Sequence, residues 1–186
     1  MVRAVAAVGG SREKTAMTVK VEGGRAMNDP KIVNLSDLPW TPWSSGKGIA
    51  VEIRDPARKV GSTHCGFRLY RLAPGMQATR LHRHHLQEEM FLILAGSGTL
   101  RHGERNVPVK AGDFILYPAG DPAAHTFVNS GAEPMEYVAT GDRVAYEVCE
   151  YPEEGTVYVE AIDKTLRNDD VADDRAVREA WFKAGR

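Results

Sequence analysis

Between positions 49 and 162 the apolar residues fall in short runs, at 66–72, 89–94, 113–117, 125–128, 135–138 and 156–160. These runs are rich in Val, Ile, Phe and Tyr and are cut by Gly, Pro and Asp. Short runs at this spacing predict the strands of an all-β sandwich or barrel. Gly96-Ser97-Gly98 and His102-Gly103-Glu104 stand on either side of residues 99–101 and predict tight connections between neighbouring antiparallel strands. Upstream, residues 32–43 combine Pro39 and Pro42 with Leu35, Leu38, Trp40 and Trp43, the pattern of an extended arm that presses aromatic groups onto a sheet. Downstream, Asp169 or Asp170 caps a predicted short helix running to about Lys183, with Val177, Ala180, Trp181 and Ala184 at helical spacing. The chain thus divides into a disordered or over-annotated leader (1–29), an N-terminal arm with the first strands (30–60), a barrel (61–150), and a C-terminal strand and helix (151–186).

Composition narrows the function classes. The 186 residues suit one domain with a sizeable core. Twenty-four basic against 25 acidic residues leave a net charge of -1, which argues against the basic surface that a nucleic-acid partner needs. The apolar runs are far shorter than the ~18 residues of a membrane span. The apolar stretch at 2–8 is broken at once by Gly9-Gly10 and by Arg12, Glu13 and Lys14, so export is not expected and the protein is placed in the cytoplasm. Met27 opens a more protein-like text and competes with Met1 as the start. Cys65 and Cys149, the two cysteines, sit in apolar, strand-like stretches and read as buried free thiols.

Candidate chemistry concentrates in the histidines. His82 and His84 are two apart, so in a strand both imidazoles leave on one face, while His85 points the other way. Glu89 then opens the apolar run Met90-Phe91-Leu92-Ile93-Leu94, a poor place for a carboxylate unless a cation meets it. His125 opens a later strand and supplies a third imidazole.

These residues lie in two motifs that resemble those of the cupin family. The first runs Gly75, six residues, His82-Arg83-His84, four residues, Glu89, six residues, Gly96; the second runs Gly112, five residues, Pro118-Ala119-Gly120, four residues, His125, three residues, Asn129. Two gaps depart from the family pattern: six residues rather than five before His82, and four rather than two before His125. Both fall in turns, where length is easily absorbed. Glu88 competes with Glu89, and the spacing to Gly96 favours Glu89.

The resemblance is to small bacterial single-domain cupins of the type 2 conserved barrel, some labelled sugar-phosphate isomerase-like. It implies a single cupin barrel (double-stranded β-helix, or jelly roll) and one divalent metal ion on His82, His84, Glu89 and His125. Three imidazoles and a carboxylate leave open positions on an octahedral ion and suit Mn, Fe, Ni, Co or Zn. Arg68, Tyr70, Arg80, Tyr117 and Tyr137 are candidates for the remaining lining, with Glu88 or Tyr117 as the catalytic proton carrier. The leading expectation is a metal-dependent isomerase of a sugar or sugar phosphate. The alternatives are an iron-dependent dioxygenase and a non-catalytic cupin that binds a small ligand. A homodimer is expected from the same likeness.

Overall fold

The computed structural model describes residues 29–170 and Lys183. The chain falls into two units, Met1–Lys31 and Ile32–Arg186, and every contact below lies within the second. The predicted C-terminal helix and most of the leader, Met27 included, lie outside the described residues.

Among the described residues the regular secondary structure is almost entirely strand. A six-stranded sheet has the order β1 (Thr41–Gly46), β2 (Ile49–Arg54), β3 (Cys65–Leu72), β10 (Met135–Asp142), β5 (Glu89–Ala95), β8 (Phe114–Tyr117). A three-stranded sheet joins β7 (Arg105–Lys110), β6 (Ser97–His102) and β9 (His125–Val128). A third sheet joins β13 (Lys164–Arg167), β12 (Thr156–Val159), β11 (Val148–Tyr151) and the two-residue β4 (Arg83–His84). All the pairings of these strands are antiparallel. The arrangement is a jelly-roll barrel, and its one α-helical turn among the described residues is α1 (Pro56–Lys59), between β2 and β3.

Strand β5 shows how the sequence selects a face. Its run of apolar residues reads as continuously buried, yet Phe91 and Ile93 point into the barrel while Leu92 and Leu94 stand 39% and 44% exposed. Successive side chains of a strand leave on opposite faces, so alternate residues meet the core. Phe91 and Ile93 join Leu72, Phe127, Met135 and Tyr137 in one buried cluster, and Phe91 meets Phe127 edge-on at 5.1 Å between ring centroids.

Two glycines set how closely the sheets approach. Gly96 ends β5 with φ +75, where a Cβ would meet the Pro134 carbonyl oxygen at 2.6 Å. The chain turns a corner there: β5 lies in the six-stranded sheet and β6 in the three-stranded one. Gly96-Ser97-Gly98 is therefore not the hairpin connection its composition suggests, because the tight backbone contact with Pro134 moves the chain from one sheet to the next. The second expected connection is a hairpin, with His102 opposite Arg105 across Gly103-Glu104. Gly141 pairs with Glu89 in the sheet, and a Cβ on it would collide with the Glu88 carbonyl oxygen. Only glycine lets β10 lie against the start of β5 at that point.

The arm is tied down by charge on an aromatic face. The guanidinium carbons of Arg54 and Arg71 lie 4.4 and 4.2 Å from the centre of the Trp40 ring, contacts worth about 0.5–1 kcal/mol each at an exposed site. Both cysteines are free, but Cys65 is exposed and only Cys149 is buried. Cys65 is the first residue of β3 and pairs with Asp142 at the far end of β10, a rim position with no layer above it.

Candidate metal centre

The site is assembled at one end of the barrel by two strand starts, Glu89 of β5 and His125 of β9, and by the segment around β4. His82 forms a bridge with His125 across the barrel wall, His84 lies in β4 opposite Cys149, and Glu89 is the first residue of β5. Parity then sorts the neighbouring side chains. Those of Arg83 and His85 leave on the other face and both meet Glu150 there, with Arg83 Nε donating at 2.7 Å and His85 Nε2 at 3.2 Å. His82 and His84 turn inward.

The inward groups converge on one atom. The Nε2 nitrogens of His125, His84 and His82 lie 3.1, 3.3 and 3.9 Å from the same carboxylate oxygen, Glu89 Oε2. His82, His84 and Glu89 offer one ligand atom each within 4.8 Å of one another. The side chains are well covered, from 2% exposed for His125 to 24% for Glu89.

Each imidazole is oriented differently. His82 Nδ1–H donates to the Arg80 carbonyl oxygen at 2.8 Å, and because a carbonyl can only accept, that bond leaves the Nε2 lone pair facing inward. His125 lacks such a bond, and its buried Nδ1 has no hydrogen-bond partner among the described residues. It is clamped instead by rings, stacked on Tyr117 at 3.8 Å and met edge-on by Phe91 at 5.6 Å. His84 Nδ1 is 3.5 Å from Glu147 Oε1, a charge contact that does not reach hydrogen-bond geometry.

The electrostatics suit a cation. Burial pushes the Glu89 carboxyl up, but hydrogen bonding with His125 and His84 and the charge of the imidazoles outweigh it, holding the group well below the usual carboxylate range. Burial, reinforced by the nearby His125, lowers His82 to about 4, so it is a neutral donor at physiological pH. Burial also acts to lower His84, yet Glu89 and Glu147 beside it raise it above the ordinary value. Without a cation, His125 and His84 meet the Glu89 carboxylate as N–H donors, whereas a bound cation would take the imidazole lone pairs and the carboxylate oxygen in their place. The donor set of three nitrogens and one oxygen fits a divalent transition ion with sites left open.

The centre opens into a cavity of about 320 Å³ whose walls include Arg68, Tyr70, Gln87, Tyr137, Tyr151 and Glu147. Of the further lining expected from sequence, Arg68, Tyr70 and Tyr137 are there. Arg80 lies behind the wall with its guanidinium 3.6 Å from the centre of the Tyr151 ring. The structure does not bring the two expected proton carriers to the cavity. Glu88 is exposed, because it stands one residue out of phase with Glu89, and its backbone N–H donates to Asp142 Oδ1 at 2.8 Å. Tyr117 backs onto His125 from the core, and its hydroxyl meets His102 Nδ1 at 2.9 Å.

One residue went unnoticed in the sequence. Glu147 is 3% exposed and lines the cavity. It accepts from the backbone N–H groups of His85, at 2.8 Å, and Leu86, at 3.2 Å, fastening the His84 turn to the start of β11. Its signal is the one that marked Glu89: a carboxylate inside an apolar stretch, here alternating with Cys149 and Tyr151, which also line the cavity.

Comparison with known proteins agrees with this geometry. The family model described as Cupin domain matches residues 68–141. A proposed sugar phosphate isomerase from Acidithiobacillus ferrooxidans superposes with a TM-score of 0.70 at 26% identity, covering 74% of this chain and 90% of that one. A predicted oxalate decarboxylase from Thermotoga maritima superposes with a TM-score of 0.52, also at 26% identity, covering 61% of this chain and 99% of that one. An oxalate-binding protein from Thermotoga maritima is 33% identical over 73 residues, which is 39% of this chain and 58% of that protein. The chain spans just over half the length of the curated relatives it matches.

Proposed function

Starting from the cupin domain that the chain carries at residues 68–141, we propose that it binds one divalent transition ion on His82, His84, Glu89 and His125 and isomerises a sugar or sugar phosphate. The observation that supports this best is the convergence of three Nε2 atoms on Glu89 Oε2, within 3.9 Å. The likeness to a proposed sugar phosphate isomerase over 90% of that protein's length favours the isomerase chemistry. When bound, the ion supplies Lewis-acid polarisation of a substrate carbonyl or hydroxyl.

The protein's own groups divide the remaining work. His82 is held in one tautomer by the Arg80 carbonyl, and the Tyr117 stack fixes the plane of His125, so little reorganisation is needed at the centre. Isomerisation also needs a group that takes a proton from one carbon and returns it to the next. Among the carboxylates that line the cavity, Glu89 faces the imidazoles and Glu147 accepts from backbone N–H groups, which leaves Glu160 as the proton carrier. The buried phenols of Tyr70 and Tyr137 are pushed up by burial; they stay protonated and can donate hydrogen bonds to a substrate oxygen.

The test is elemental analysis of untagged protein, followed by aldose–ketose interconversion assays with each ion restored. One equivalent of a transition ion and turnover on a phosphorylated sugar are expected, with Glu160→Gln losing turnover and keeping the ion. An ion without turnover, together with saturable oxalate binding, would support a second reading: a non-catalytic anion-binding cupin, which the similarity to the oxalate-binding protein favours.

A further inference from the structure

Arg68 stands where three cavities meet. It lines the metal cavity, a neighbouring one of about 730 Å³ and a third of about 270 Å³. Among the described residues it is the one arginine or lysine at the metal cavity. Its Nε donates to Asp55 Oδ2 at 2.9 Å and the guanidinium also acts on the neighbouring Tyr70 phenol, while among the described residues neither Nη group is paired with a carboxylate. Asp55 is itself held, since its Oδ1 accepts from the Arg58 backbone N–H at 2.8 Å as the cap of α1. The guanidinium is thus fixed through one edge and presents the other, the arrangement that binds carboxylate or phosphate in two parallel hydrogen bonds.

The 730 Å³ cavity differs in character. Apart from Arg68, Tyr70 and Thr79, which it shares with the metal cavity, its walls carry an apolar side with Leu38, Trp43, Val51 and Ile53 and a charged side with Asp55, Arg58 and Lys59. Trp43 is 44% exposed, and it came to this position as part of the Pro-rich arm. A flat apolar body can lie on the Trp43 side of this wall without hydrogen-bond partners of its own.

The geometry points to a bipartite small-molecule ligand, whose carboxylate or phosphate is clamped by Arg68 and whose apolar body lies against Trp43, with its reacting oxygens toward His82, His84 and His125. This deepens the metal-centred reading and rests on it for the position of the reacting end, while the clamp itself does not require the ion. It also extends the substrate: a sugar phosphate fills the inner cavity, and a molecule that carries an apolar group besides its anion and its reacting oxygens reaches the wall at Trp43 as well.

Calorimetric titration of metal-loaded wild type, Arg68→Gln and Trp43→Ala with benzoate, phenyl phosphate and benzyl alcohol decides this. Wild type is expected to bind one of the anions about tenfold or more tightly than the alcohol, and which anion wins separates carboxylate from phosphate recognition. Arg68→Gln should abolish that preference and leave alcohol and ion affinity unchanged. Trp43→Ala should weaken all three ligands alike. The proposal is overturned if wild type shows no anion preference, if Arg68→Gln keeps it, or if Trp43→Ala alters the oligomeric state and no ligand affinity. Wild type that takes up no ion would defeat the metal-centred reading instead, and the anion-to-alcohol ratio in that protein would still judge Arg68.

Discussion

The two ends of β5 lie on the same inner face of the barrel and do opposite things. Glu89 at its start is a carboxylate facing three imidazoles, while Ile93, four residues on, is 1% exposed among apolar side chains. The same contrast runs along β9, where His125 is a candidate ligand, Phe127 two residues later is core, and Asn129 just beyond is 0% exposed. Asn129 is fully engaged there, donating through Nδ2 to the carbonyls of Leu72 at 2.7 Å and Glu133 at 2.9 Å. Parity therefore decides which residues enter the barrel, and position along the strand decides whether they meet packed hydrocarbon or an open, polar end.

That contrast can be broken at either end. Ile93→Ala removes methylenes where nothing can fill the space and should cost about 2–5 kcal/mol of stability in urea denaturation. Its ion affinity, measured below the unfolding transition, should be retained. Glu89→Gln keeps the volume and loses the charge, so ion affinity should fall about 100-fold or more, about 2.7 kcal/mol, with the metal-free melting temperature within a few degrees of wild type. A loss of folding with Glu89→Gln, or a loss of ion with Ile93→Ala, would mean that the two ends are not separable.

Smaller effects sharpen the comparison. Glu147→Gln removes the charge beside His84 Nδ1 and should weaken ion binding about tenfold, in the range seen when an outer partner of a ligand is lost. Unchanged affinity would reduce Glu147 to a fastener of the His84 turn. A last prediction concerns pH. His82 takes a proton near 6.5 when unfolded but only near 4 in the folded, metal-free protein. Between those values the unfolded state holds more protons, so this group's contribution to stability is lost as pH falls from 6.5 towards 4, by at most about 1.4 kcal/mol per pH unit. His84, raised above its ordinary value, works in the opposite sense. Chemical denaturation of metal-free His82→Gln against wild type across that range isolates the His82 slope, and equal slopes would show that His82 is not held neutral.

Much of this arrangement was legible before the fold was known, because short-range rules carried it. Short apolar runs between turn residues marked β5, β8 and β9, and the separation of His82 from His84 by one residue put both imidazoles on one face. The motif spacing ranked Glu89 above Glu88, and the structure shows the latter exposed and one residue out of phase. What was misread depended on contacts between distant segments. Gly96-Ser97-Gly98 looked like a hairpin turn, but its Cβ-free approach to Pro134 makes it a corner between sheets. Cys65 looked buried because its neighbours are apolar, yet it lies at a rim. Tyr117 looked like a catalytic phenol and instead braces His125 from the core side.

By itself, then, the sequence determined the central strands, the shared face of His82 and His84 and the residue types that could meet a cation, since strand parity and backbone preference act over a few residues. Only the tertiary structure decided that three Nε2 atoms meet at Glu89 Oε2, that Glu147 stands behind His84 and that Arg68 opens onto three cavities. The long-range members of those outcomes are His125 with Glu89, 36 positions apart, and Glu147 with the His84 turn, 62 positions from His85. Such meetings are set by sheet order and corner geometry, which no local pattern of residues contains.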